Sequence, residues 1–170
     1  MKTKFTKGLI RVVVICLVLF FALLGTGAAS QAPSLVDVAS MVKTPEALAG
    51  WLSRDFLYEL ALADGWNSPE ETIKFKKGDC DDFAVLAKAV LKELGIKSDI
   101  VVLKFSGLSV AHAICLWKDA RGNISFISNQ KLFQTAEPDI SRALRKYYPD
   151  IEAIIYMDEG MRYAGSVKAR

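Results

Sequence analysis

The sequence predicts an α+β domain in which an antiparallel sheet packs on one central helix. Three observations lead there. Residues 79–94 read as a helix that is apolar over much of its circumference, so it belongs in the interior rather than on a surface. Helical signals dominate before Gly95, and strand signals follow it. The later strands are joined mostly by short turns, which favours antiparallel hairpins.

The chain has 170 residues, enough for one compact domain. Its beginning differs from the rest. Lys2, Lys4, Lys7 and Arg11 form a positive head, and Val12 to Leu24 is an unbroken apolar run. The small residues "GTGAAS" follow. A charged head, a short apolar run and a small-residue exit make a secretory signal. The run is shorter than the roughly 20 residues a membrane span needs. An uncleaved anchor starting near Leu9 is the alternative, and it would bring membrane association. Cys16 is filler within this run. The expected organisation is therefore a signal or anchor at 1–30, a helical N-terminal part of the domain at 31–65, and the core at 66–170. The expected location is outside the cytoplasm: periplasmic, extracellular or cell envelope.

Setting the leader aside changes the charge. It holds four of the 22 basic residues and none of the 19 acidic ones, which leaves 18 against 19, a net −1. The basic balance of the whole chain belongs to the leader. No basic stripe remains to argue for nucleic acid.

The elements follow in order. Residues 31–43 read as a short leader into the domain. Thr44-Pro45-Glu46 starts a helix with a capping hydroxyl, a proline in the first turn and an acid. Leu48, Trp51, Leu52, Phe56 and Leu60 carry its apolar face to about Leu62, as one helix or two short ones. Gly65 to Pro69 is a break, Ser68-Pro69-Glu70-Glu71 starts a short helical turn, and Lys74 to Gly78 is a polar linker. Asp79 caps the next helix, with Asp82 as its capping-box partner, and Gly95 stops it. Strands are expected at 99–105, 111–117, 124–127 and 151–157, with a helix at 139–147. The basic end, "MRYAGSVKAR", reads as a frayed terminus.

Residues 78–82, "GDCDD", set a cysteine among three carboxylates, which favour the thiol over the thiolate. The helix start opposes them, because its free N–H groups and dipole stabilise a thiolate. His112, the chain's one histidine, is the available base. In a strand it shares a face with Ile114 and Leu116, while Ala113, Cys115 and Trp117 share the other. If His112 faces the helix start, Cys115 faces away. A third residue would orient the imidazole through its other nitrogen. Asn129, after the next strand, is the candidate, with Ser128 as the alternative. Trp66 and Asp79 are the groove and oxyanion-side candidates, and Asn67 lies upstream where a second donor could sit. The backbone N–H of Cys80 would supply half of an oxyanion hole. Two competing readings stay open. A Cys80–Cys115 disulfide would need Cys115 to face the helix. The "DCDD" tract could hold a hard cation loosely, although three acids at a helix start more often serve capping. One histidine and two cysteines do not reproduce a zinc spacing, so no metal and no cofactor is expected.

The stretches "KKGDCDDFAVLAKAVLKELGI", "AHAICLW" and "FISNQ" together resemble the transglutaminase-like superfamily, closest to its bacterial cysteine proteinases with a papain-like core. The resemblance spans roughly residues 66–132. It implies Cys80 as nucleophile and His112 as base. Where that family usually has Asp, this chain has Ser128-Asn129. The implied function is an exported acyl-transfer enzyme, a peptidase or amidase working through Cys80, His112 and Asn129 on a peptide or protein substrate. The alternative is a non-catalytic module of the same fold that binds an extended peptide.

Overall fold

The computed structural model describes residues 32–60 and 65–169. The expected leader at 1–30, with Cys16, lies outside the described residues. Among the described residues, no helix is long and apolar enough to cross a membrane.

The first helix, α1 (Leu35–Val42), lies where a short leader was expected. Ser34 starts it with a reciprocal cap: its hydroxyl accepts from the Asp37 N–H, and the Asp37 carboxylate accepts from the Ser34 N–H. Thr44 caps α2 (Pro45–Asp55), whose Leu48, Trp51 and Leu52 are buried. This helix ends at Asp55 rather than near Leu62. Phe56 takes extended backbone, and Leu57–Tyr58 (β1) pairs in parallel with Lys77–Gly78 (β2). The expected polar linker is thus the end of α3 (Pro69–Phe75) followed by that short strand. Such a pairing joins segments about 20 residues apart, which local periodicity does not register.

The central helix is α4 (Cys80–Glu93). It buries Phe83, Leu86, Ala87, Val90 and Leu91. Each large apolar side chain enclosed this way contributes about 1.5–3 kcal/mol. The chain leaves the helix through Gly95, whose φ of +74 favours glycine.

The sheet contains β3 (Ser98–Phe105), β4 (Ala111–Lys118), β5 (Ile124–Ser128), β6 (Lys131–Gln134), β7 (Ile151–Met157) and β8 (Tyr163–Lys168). Its order is β6-β5-β4-β3-β7-β8, and every neighbouring pair is antiparallel. The helix α5 (Ile140–Arg145) falls between β6 and β7. Two of these strands were not expected. β6 is reached by a turn at Asn129-Gln130, and β8 takes up the supposedly frayed end, where the Arg145 guanidinium donates to the Ala169 carbonyl.

Each face of the sheet has its own core. Ile100, Ala113, Cys115, Trp117 and Ile127 pack with α1, α2 and α4. Val101, Leu103, Ile114, Leu116, Phe126 and Ile154 pack with Ala143 and Leu144 of α5. The strand alternation therefore places Cys115 on the α4 face.

Candidate active site

The start of α4 is held by the carboxylate of Asp82, which is 1 % exposed. Its Oδ2 accepts from the Asp79 N–H at 3.2 Å and from Asn67 Nδ2 at 2.8 Å, and its Oδ1 accepts from the Asn67 N–H at 2.7 Å. Asp82 thus ties the segment before α3 to the helix that carries the cysteine. Asn67 spends both its backbone and side-chain donors on this link. Gly78 is required by the same packing: a Cβ there would lie 2.7 Å from Asp82 Cβ and 2.8 Å from its Oδ2.

Cys80 opens α4 and is half-buried. Burial pushes its thiol pKa up, and the Asp79 and Asp81 charges add to the rise. Hydrogen bonds from the N–H of Ala113 and from its own N–H act the other way. The net shift is upward, so the resting group is the thiol.

His112 sits near the start of β4 and faces the opposite side of the sheet from Cys115. It stands opposite Leu103 in the ladder and shares that residue's face. Its Nε2 lies 2.8 Å from Ser128 Oγ. Tyr148 donates its O–H to the same Ser128 oxygen at 2.8 Å, and its ring centroid is 5.8 Å from the imidazole. Burial lowers the imidazole pKa, so the neutral base prevails. No hydrogen bond to a described residue uses Nδ1.

His112 does not face the helix start, an outcome the strand alternation allows; Cys115 takes the α4 face instead. The sulfur meets β4 at its edge, through the N–H of Ala113, the residue next to His112. Pairing with β5 begins only at Ile114, so β5 does not cover that edge at residues 111–113. Thiol and imidazole thus approach one strand end from its edge and its far face. No hydrogen bond joins them among the described residues.

Ser128, the alternative third member, is the side chain on His112 Nε2. Ser128 pairs with Ile114 in the ladder, and so shares its face and that of His112. Asn129 is one residue further. It takes a φ of +50 at the β5–β6 turn, a conformation asparagine tolerates well, and its Oδ1 is buried without a hydrogen-bond partner. Trp66 is half-buried against the α4-side core. Asp79 is 7 % exposed, with its carboxyl against that of Asp81. Burial and this contact push Asp81 up to about 7. Carboxylate oxygens of Asp79, Asp81 and Asp82 all lie within 4.8 Å of one another.

The competing disulfide is not formed: Cys80 and Cys115 are both free. Cys115 does face α4, but two turns further along, near Lys88.

Two residues near the site carried no signal in the sequence. Tyr148 lies in the segment after α5, and nothing in its spacing links it to β4 or β5. Tyr58 flanks the cysteine. Its phenol is raised first by burial and then by the charges of Cys80, Asp79 and Asp81. Tyr58 also lines a cleft of 210 Å³ together with Ser128, Asn129 and Phe133. A larger cavity, 740 Å³, lies at the other end of β4 beside Trp117, Asp139 and Tyr156, away from Cys80 and His112.

The site therefore offers a thiol at a helix start, a neutral imidazole on the adjoining strand, and a hydroxyl chain behind it. Such groups suit acyl transfer by a cysteine nucleophile.

Residues 31–133 match the model of a family described as transglutaminase-like domain. No curated protein matches the chain. Among solved structures, Legionella pneumophila LapG in a calcium-bound form is similar at 19% identity and a TM-score of 0.53, over 74% of this chain and 71% of that one. Another structure of Legionella pneumophila LapG is similar at 20% identity and a TM-score of 0.51, over 76% of this chain and 74% of that one. At these identities the likeness is one of fold.

Proposed function

The chain belongs to the transglutaminase-like domain family, and within it we propose that this protein is an exported cysteine peptidase or amidase. The observation that carries the reading is the junction at Ala113. Its N–H lies close enough to the Cys80 sulfur to lower the thiol pKa, while the preceding residue, His112, has Nε2 engaged by Ser128 and makes no hydrogen bond from Nδ1 among the described residues.

The chemistry follows from those groups. As Cys80 Sγ bonds to a substrate carbonyl carbon, its proton passes to His112 Nδ1. The collapsing intermediate expels the amine, which takes that proton. Water, deprotonated by the same nitrogen, then bonds to the acyl carbon; the C–S bond breaks, the acid leaves, and Nδ1 returns its proton to Cys80 Sγ. The Cys80 N–H at the helix start donates to the oxyanion. Ser128, rather than Asn129, supports the ring in this scheme. The cleft lined by Ser128, Asn129 and Tyr58 is the seat for an extended peptide in this scheme, and Tyr58 is near enough to Cys80 for their charges to interact. The positive head and apolar run of residues 2–24 support export.

Turnover of denatured-protein or peptide-library substrates should be lost in Cys80→Ala with the fold retained. Iodoacetamide labelling of Cys80 should slow in His112→Ala. Turnover that persists without Cys80 would sink the proposal.

One observation favours the binding-module reading. Cys80 is raised, His112 is lowered, and no hydrogen bond links them. A peptide ligand retained in both Cys80→Ala and His112→Ala, with no turnover by the wild type, would select it.

A second feature bears on the same site. Two carboxyls in contact, Asp79 and Asp81, call for a shared proton or a cation between them. Oxygen-only donors suit calcium, and one of the LapG structures is described as calcium-bound. Asp79 and Asp81 would hold such an ion, with Asp82 already committed to Asn67. Calcium should then raise the melting temperature of the wild type but not of Asp81→Asn. An equal response of the two would exclude this site.

A further inference from the structure

We propose that Tyr148 is a positioning residue of the site: through its hydrogen bond to Ser128 it sets the hydroxyl that engages His112 Nε2. The proposal rests on the peptidase reading for its purpose, but not for its geometry. Tyr148 O–H donates to Ser128 Oγ at 2.8 Å, and the same oxygen lies 2.8 Å from His112 Nε2. The phenol ring is fixed independently, against Phe105 at 6.1 Å, Phe126 at 6.2 Å and the imidazole at 5.8 Å between centroids. Three separate parts of the chain, β4, the end of β5 and the segment after α5, thus converge on one hydroxyl.

A carboxylate behind the imidazole would attract positive charge to the ring. This chain places a serine there and points a tyrosine O–H dipole, positive end first, toward it. That arrangement disfavours the imidazolium and leaves the ring free to accept a proton, which a general base needs. Neutral hydroxyls also cost less to enclose than a charge. Among the described residues that contact the ring on this face, Leu103 of β3 is apolar, Ser128 of β5 is neutral, and Tyr148 is titratable. Cys80, Asp79 and Asp81 belong to the α4 start, and burial already lowers the imidazole value before any effect of the hydroxyl pair.

His112 is the chain's one histidine, so NMR titration of the full chain reads it directly. Tyr148→Phe keeps the ring packing and removes the O–H. The His112 pKa should rise by about half a unit, a fraction of one neutral hydrogen bond. It should not respond to Tyr148→Phe when Ser128 is already Ala. Site-specific 3-fluorotyrosine at position 148 keeps the bond, strengthens the donor and should move the value down; it also serves if Tyr148→Phe does not fold. An unchanged or lowered pKa in folded Tyr148→Phe, or the same response without Ser128, would overturn the proposal. If Cys80 proves inert while His112 still shifts as described, the peptidase reading fails and the positioning role stands.

Discussion

Asn67 grips Asp82 by both carboxylate oxygens, at 2.7 and 2.8 Å, across 15 residues of chain. The pair is partly buried, and it joins the segment before α3 to the first turn of the helix that opens with Cys80. Charge-assisted bonds of this kind contribute about 1.5–3 kcal/mol each, and removing one partner leaves the other unpaired.

Asp82→Ala should therefore destabilise the fold by about 3 kcal/mol or more, because it strands Asn67 and the Asp79 N–H together. Asn67→Ala keeps the Asp79 bond and should cost less, about 1–3 kcal/mol. Urea unfolding checks both. Equal stability of Asp82→Ala and the wild type would contradict the role assigned to this carboxylate.

Gly78→Ala tests the packing behind that bond. The added methyl would meet Asp82 Cβ at 2.7 Å, closer than real Cβ atoms approach. Since Asp82 is held on three sides, either β2 or the start of α4 must shift, at about 1–3 kcal/mol. The loss should be much smaller in an Asp82→Gly background, where the clash is gone. A double-mutant cycle by thermal melting measures the coupling, and additive effects would show that Gly78 serves some other need.

Cys115 gives a pH signature remote from the site. Burial pushes its thiol from an ordinary 9.0 up to about 12. Between those values the unfolded chain carries a thiolate while the folded chain keeps the thiol. Unfolding then releases a proton, so this group's contribution to stability falls as pH rises through that window. Below pH 9 it is constant. Cys115→Ala lacks the effect, although it opens a small cavity. Its stability deficit against the wild type should therefore shrink as pH rises from about 9 to about 10.5, and chemical denaturation at several pH values reads this. A deficit independent of pH would show that the thiol ionises equally in both states.

Much of the site's local structure was legible in the sequence. The helix from Asp79 to Gly95, its caps and its apolar face follow from spacing alone, since they depend on neighbours three and four residues away. So does the position of Cys80 in the first turn. The α+β order and most of the strands follow from the change of period after Gly95. The short strands were not: β1 pairs with β2, and β8 with β7, through partners their own residues do not specify.

The third member of the site shows the limit most clearly. Ser128 and Asn129 are adjacent, and both can bond an imidazole. Only the ladder decides between them, because the pairing of Ser128 with Ile114 puts the hydroxyl on the face of His112, while Asn129 takes up the turn. The same holds for the face of His112, since alternation relates residues within a strand but does not say which side meets the helix. Tyr148 enters from beyond α5. The sequence by itself determined the residue types, the helix start and the strand that hold Cys80 and His112. Which side chains meet was decided by tertiary packing, because that depends on sheet register and on contacts between segments far apart in the chain.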